Sequence, residues 1–200
     1  MDEVELTYLF FPPISMSFLF CKATTEDELA QILQLQRAYH VSSLSVEDAN
    51  HDGFVTVMHS MDLLRKMNLA ASQIIAKDGA RVIGYALVML KSFSDMIPVL
   101  QPMVNRLSAV TYRGKTITEY SFHIMGQICV AENYRGKGVF GSLYEKHKEL
   151  CGSSYDLCVT SISTRNTRSM SAHERVGFET VFTFRDQTDE WNILVWNLKD

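Results

Sequence analysis

The sequence predicts an α/β fold: a mixed, mainly antiparallel sheet with a central βαβ unit and helices on both faces. Three observations predict it. Short apolar and β-branched runs alternate with segments of helical apolar spacing. Strand-like runs occur in antiparallel pairs near both ends of the chain. Between those pairs lies one strand, one amphipathic helix and one strand, the order of a parallel crossover.

The elements follow in order. Residues 1–15 read as a leader, with an acidic start, an apolar Tyr8-Leu9-Phe10-Phe11 and then Pro12-Pro13. Residues 16–200 read as one domain. Ser17 to Lys22 is strand-like. Thr24-Thr25-Glu26-Asp27-Glu28 is a helix start, with a hydroxyl cap and acids in the first turn. Leu29, Ile32, Leu33, Leu35 and Tyr39 keep helical spacing behind it, and a polar stretch from Val41 to Gly53 breaks the pattern. Ser60 caps a second helix, Met61 to Ala71.

Ser72 to Ala76 and Arg81 to Leu90 form a predicted hairpin across Lys77-Asp78-Gly79-Ala80. Residues 91–118 exceed an ordinary connection and read as an insertion of the lid kind, with a short helix bracketed by Pro98 and Pro102. Ser121 to Val130 is a strand. Gly138 to Leu150 is a helix with Phe140, Leu143, His147 and Leu150 on one face. Asp156 to Ser163 is a strand, Thr167 to Val176 a helix, and Phe178 to Phe184 with Trp191 to Leu198 a closing hairpin.

Bulk composition removes several function classes. The formal charge is −4, from 19 basic and 23 acidic side chains, which gives no broad reason to approach nucleic acid or an anionic membrane. No apolar run approaches the ~20 residues of a membrane span, and Met1-Asp2-Glu3-Val4-Glu5 has the wrong charge for a secretory signal. Cys21, Cys129, Cys151 and Cys158 show no C-x-x-C spacing and no paired Cys/His cluster, so the expectation is a reduced, cytoplasmic protein with no metal. His40, His51 and His59 assemble into no metal site by spacing.

The segment richest in chemical content runs from Gly126 to Leu143. A strand ends, a polar loop follows, and Gly136, Gly138 and Gly141 open a helix. Unpaired amides at a helix start, with the helix dipole behind them, suit a phosphate. The P-loop pattern fails here in spacing and hydroxyl. The dinucleotide pattern G-x-G-x-x-G is matched, but five residues separate strand end from first glycine and no ribose-binding acid follows at the right distance.

Arg135-Gly136-Lys137-Gly138 after a strand, with Asn166 to Phe178 downstream, resembles the GNAT superfamily of acyl-CoA-dependent N-acyltransferases. Arg135 and Gly138 fit the motif Q/R-x-x-G-x-G/A, whose last position here is Phe140. Asn166, Ser169, His173, Gly177 and Phe178 are similar to N-x-x-S/A-x-x-x-Y-x-x-x-G-F, with His173 in place of tyrosine. The resemblance implies acetyl-CoA as co-substrate and an acyl group passed to an amine by direct attack. It implies that Arg135, Gly136, Lys137, Gly138, Val139, Phe140 and Gly141 hold the pyrophosphate. Ile128, Cys129 and Val130 would line the pantetheine arm, with Asn166 and Ser169 beside it.

For catalysis the resemblance offers His173 as proton donor to the departing thiolate. His123 is the candidate base; strict strand alternation puts it on one face with Gln127 and Cys129. A strand amide, that of Cys129 or Val130, is positioned for the oxyanion. Cys129 itself reads as core packing. The acceptor is expected over the strand splay, bounded by residues 40–58 and 93–118: a small-molecule or peptide amine, with a homodimer left open. The rival readings are a non-catalytic acyl-CoA-binding sensor and a nicotinamide-dependent domain.

Overall fold

The structure, a computed structural model, describes residues 17–44 and 54–200. The expected leader and His51 lie outside them.

Seven strands form one sheet: β1 (Leu19–Lys22), β2 (Ile74–Asp78), β3 (Arg81–Met89), β6 (Phe122–Val130), β7 (Leu157–Ser163), β8 (Glu179–Arg185) and β9 (Glu190–Asn197), in the order β1-β2-β3-β6-β7-β9-β8. Every pairing is antiparallel except β6 with β7. That pair brackets a helix, α4 (Val139–Cys151), and so forms the expected crossover. On one face lie α1 (Glu26–Tyr39) and α2 (Met61–Ala70), over Ile75, Tyr85, Leu87 and Cys129. On the other lie α4 and α5 (Thr167–Val176), over Ala86, Met125, Cys158 and Leu194.

The helix starts follow from capping chemistry. Thr25 and Glu28 form a reciprocal capping box on α1, and Glu28 also takes an ion pair from Lys77 on β2 at 2.6 Å. Ser60 accepts from the Leu63 amide at the start of α2. The first hairpin is tighter than the sequence suggests. β2 runs on through Asp78, and only Gly79 and Ala80 form the turn, with Gly79 at φ +56°.

Residues 91–118 differ from expectation. They carry a short helix, α3 (Gln101–Val104), and a two-stranded ribbon of β4 (Thr111–Tyr112) and β5 (Lys115–Thr116). Ile97, Met103, Leu107, Val110 and Ile117 are buried in the α1-side core. The segment is packed structure under the sheet rather than a lid.

One irregularity decides where side chains point. The β3–β6 register shifts between Leu87 and Val88, which pair with Gln127 and Met125, so Gly126 is an extra residue on β6. A bulge inverts the alternation beyond it. His123 and Met125 therefore face α4, whereas Gln127 and Cys129 face α1. The expected common face for His123, Gln127 and Cys129 does not exist.

Candidate functional site

β6 and β7 pair over three positions, ending at Ile124 with Val159, and then diverge. At the divergence Thr160 Oγ1 donates to the Met125 carbonyl at 3.0 Å, which closes the apex of the wedge. Beyond it, residues 127–130 of β6 and 161–163 of β7 no longer pair with each other. The Ala131 amide bonds Ile83 O at 2.8 Å. By antiparallel alternation Cys129 and Gln127 also bond β3, while Ile128 and Val130 turn their amides and carbonyls into the wedge. Of the two strand amides considered for an oxyanion, that of Val130 faces the wedge and that of Cys129 does not.

The glycine-rich turn closes the wide end. Gly136 and Gly138 take φ +74° and +80°, left-handed values that glycine adopts without strain. Gly138 is the N-cap of α4 and offers no side chain. The Val139, Phe140 and Gly141 amides precede the first intrahelical bond, from Ser142 N to Gly138 O at 3.1 Å. They stand open at the positive end of the helix dipole. Gly141 has ordinary helical φ, and a Cβ there would meet no atom within 4 Å.

A cavity of about 370 Å³ lies in front of these amides. Of the residues expected at a cofactor, Ile128, Cys129, Val130, Arg135, Gly136, Gly138, Val139, Phe140, Gly141, Asn166 and Ser169 line it. Lys137 does not; its ammonium lies over the Tyr134 ring at 5.4 Å. The Arg135 Nε donates to Val130 O at 3.1 Å and its guanidinium lies 4.8 Å from the Tyr39 ring centre, so it braces the loop against the strand end. The Phe140 ring turns onto Tyr144 and His173, at 5.3 and 5.2 Å, and its bulk leaves the cradle open.

The sequence reading missed Tyr39, Phe54, Val55, Arg168 and Arg175 as lining residues. Arg168 and Arg175 are seven apart on α5, and that spacing carried the signal. Phe54 and Val55 carried none. They sit in a strap, residues 54–59, held by tertiary hydrogen bonds. Asn166 Nδ2 donates to Phe54 O at 3.1 Å, Gln127 Nε2 to Val57 O at 2.8 Å, and the His59 amide to Gln36 Oε1 at 3.0 Å. Asn166 also caps α5 by accepting from the Ser169 amide at 3.2 Å.

A smaller cavity, about 70 Å³, continues the wedge toward its apex between Gly126–Ile128 and Thr160–Ser163. His173 lines it. His173 is buried, and burial pulls its pKa to about 4, so the ring is neutral at pH 7. Its Nδ1 lies 2.8 Å from the Ser169 carbonyl, which only accepts. The proton therefore sits on Nδ1, and Nε2 presents a lone pair. In that state His173 has no proton to give from Nε2.

His123 lines neither cavity. It is fully buried against α4, with Nε2 2.7 Å from His147 Nε2, because the Gly126 bulge turns it away from the wedge. The Cys129 thiol, buried and pushed up to about 12, stays protonated and packs in the core. Among the described residues no carboxylate lines either cavity. His40 is tied to Ser42 and His59 to Gln36. No residue from 91–118 borders the cavities; of the other expected wall, residues 40–58, the described residues that border them are Phe54, Val55 and Thr56 of the strap.

No family model and no curated protein matches the chain by sequence. Solved structures match it along most of its length. An acetyltransferase of the GNAT family from Streptococcus pneumoniae superimposes with TM-score 0.57 at 12% identity, over 90% of this chain and 99% of that one. The ribosomal-protein-alanine N-acetyltransferase from Brucella melitensis gives 0.58 at 16%, over 90% and 99%. A chain of the NatC complex bound to Gag peptide and CoA gives 0.61 at 15%, over 91% and 99%.

The chain has a GNAT superfamily fold. In this GNAT fold the glycine-rich turn and the diverging β6–β7 pair form one continuous wedge. No helix among the described residues is long and apolar enough to cross a membrane.

Proposed function

We propose that the chain is an acyl-CoA-dependent N-acyltransferase. One observation carries the reading: open amides at the α4 N-terminus face a cavity that runs into the wedge between β6 and β7. The pyrophosphate rests on the Val139, Phe140 and Gly141 amides, where charge-assisted hydrogen bonds and the helix dipole favour it. Arg168 and Arg175 add positive charge at the cavity wall. The extended pantetheine arm lies along Ile128 and Val130, whose backbone groups accept an added strand. The thioester then reaches the smaller cavity near Gln127 and Thr160.

An amine attacks the thioester carbon as a free base. The developing oxyanion is stabilised by the Val130 amide. The tetrahedral intermediate collapses, the C–S bond breaks, and the amide product and thiolate separate. A thiol near pKa ~8.5 is a fair leaving group, and solvent returns its proton. Among the described residues no carboxylate lines the cavities, and the amine's proton passes to water. Small-molecule and peptide amines both fit a wedge open beside the strap; the named structural neighbours include an enzyme for protein alanine and a complex with a peptide.

A second reading has one observation in its favour. The tautomer of His173 removes the proton donor that the resemblance supplies, as expected of a binding protein without turnover. Acetyl-CoA mixed with a panel of peptide and small-molecule amines separates the two. Thiol release above the uncatalysed rate is expected. Tight acetyl-CoA binding with no release from any amine supports the sensor.

A further inference from the structure

Away from the wedge, the α4 side of the sheet buries a cluster that the acyl-transfer reading leaves unused. His147 and Cys151 lie four apart on α4, so they share one face of the helix. His123 reaches them from β6. One donor atom from each of the three falls within 4.8 Å of the other two. Both imidazoles are buried, and Cys151 is partly exposed at the helix end. The sequence reading saw no Cys/His cluster because His123 joins the other two only through the β6–α4 packing.

We propose that His123, His147 and Cys151 are the ligands of a transition-metal site, with Zn2+ as the reference ion, that pins α4 to the central strand.

The donor set argues for the class of ion. Two imidazoles and a thiol suit Zn2+ or a softer ion and do not suit Mg2+ or Ca2+, which take oxygen ligands. The rings meet through their Nε2 atoms, while Nδ1 of each is buried with no partner among the described residues.

The two Nε2 atoms lie 2.7 Å apart, the distance of a hydrogen bond from one neutral ring to the other. A tetrahedral ion with Zn–N distances of about 2.0–2.1 Å holds its nitrogens roughly 3.3 Å apart. The rings therefore move apart by about half an ångström to admit it. Each imidazole keeps its single proton, shifted to the nitrogen that does not ligate. The Cys151 thiol releases its proton to solvent as the Zn–S bond forms. Water fills the fourth position, and the partly exposed Cys151 end of α4 provides the way in.

The test uses the full chain after EDTA treatment and buffer exchange. Co2+ titration should give one equivalent of bound ion, with thiolate-to-cobalt absorption and tetrahedral d–d bands, and Zn2+ should displace it. Zn2+ should also raise the melting temperature. Cys151→Ser should keep the fold, remove the thiolate band and weaken Zn2+ by more than about tenfold. His147→Phe should weaken Zn2+ at least as much. If His147→Phe does not fold, Cys151→Ser decides alone. The site is refuted if wild type shows no stoichiometric band, or if Cys151→Ser binds Zn2+ as wild type does. Acetyl-CoA binding is independent of either outcome.

Discussion

Replacing Gly141 separates stability from ligand binding at one position. Gly141 is the third helical residue of α4 with ordinary helical φ, and an added Cβ meets nothing within 4 Å. Nothing in the fold opposes a side chain there. Gly141→Ala should stabilise the helix by about 0.5–1 kcal/mol, or roughly +1 to +4 °C in Tm for a chain of this size. Gly141→Glu gains a favourable dipole contact of about 0.3–1 kcal/mol at the same place. The same carboxylate stands where the pyrophosphate is proposed to rest. A like-charge contact at ~5 Å with an effective dielectric near 20 costs about 3 kcal/mol, and solvent screening leaves a tenfold to hundredfold loss of acetyl-CoA affinity. Thermal melts and calorimetric titration of both variants supply the readout. Two stable variants that bind acetyl-CoA as tightly as wild type refute the cradle.

Other predictions follow from the same geometry. His59, His123, His147 and His173 have folded pKa values lowered by burial to about 4, 3, 4 and 4, whereas unfolded histidine titrates near 6.5. The unfolded chain thus binds protons that the folded chain does not, and stability falls as pH drops below about 6.5. At pH 5.5 each site costs about 1.3 kcal/mol relative to pH 7.5, and the four together roughly 5; urea midpoints that stay level over that range contradict the burial. Asn166→Ala removes the α5 cap and the hold on Phe54, so about 1 kcal/mol of stability should go and KM for acetyl-CoA should rise; an unchanged KM detaches the strap from the cofactor site. His173→Phe should keep the aromatic packing with Phe140, Tyr144 and Phe178 and retain turnover within about tenfold, less than loss of a true proton donor costs. A larger fall in kcat with KM unchanged makes His173 catalytic.

The parts of this fold that were legible in the sequence are those set by near neighbours along the chain. Thr25 with Glu28, Ser60 and Gly138 mark helix starts through contacts within three or four residues. The motif at Arg135–Gly138 is one loop and that at Asn166–Phe178 one capped helix, and the cavity they border was readable for that reason. His123 was misplaced because one inserted residue, Gly126, reverses every side chain before it, and alternation carries no sign of a bulge. Residues 91–118 were misread because their buried apolar residues alternate with polar turns and show no single period. Phe54 and Val55 reach the site through Asn166 and Tyr39, contacts that no spacing encodes. Phe140 is the exception to the motif: its ring packs on Tyr144 and His173, partners that no spacing in the sequence encodes.

Calorimetric titration of the purified chain with acetyl-CoA tests most directly whether the wedge is an acyl-CoA site. One-site binding of acetyl-CoA is predicted, sharply weakened in Gly141→Glu, with no binding of NAD+. Absence of acetyl-CoA binding by a folded chain, or binding that Gly141→Glu leaves untouched, contradicts it.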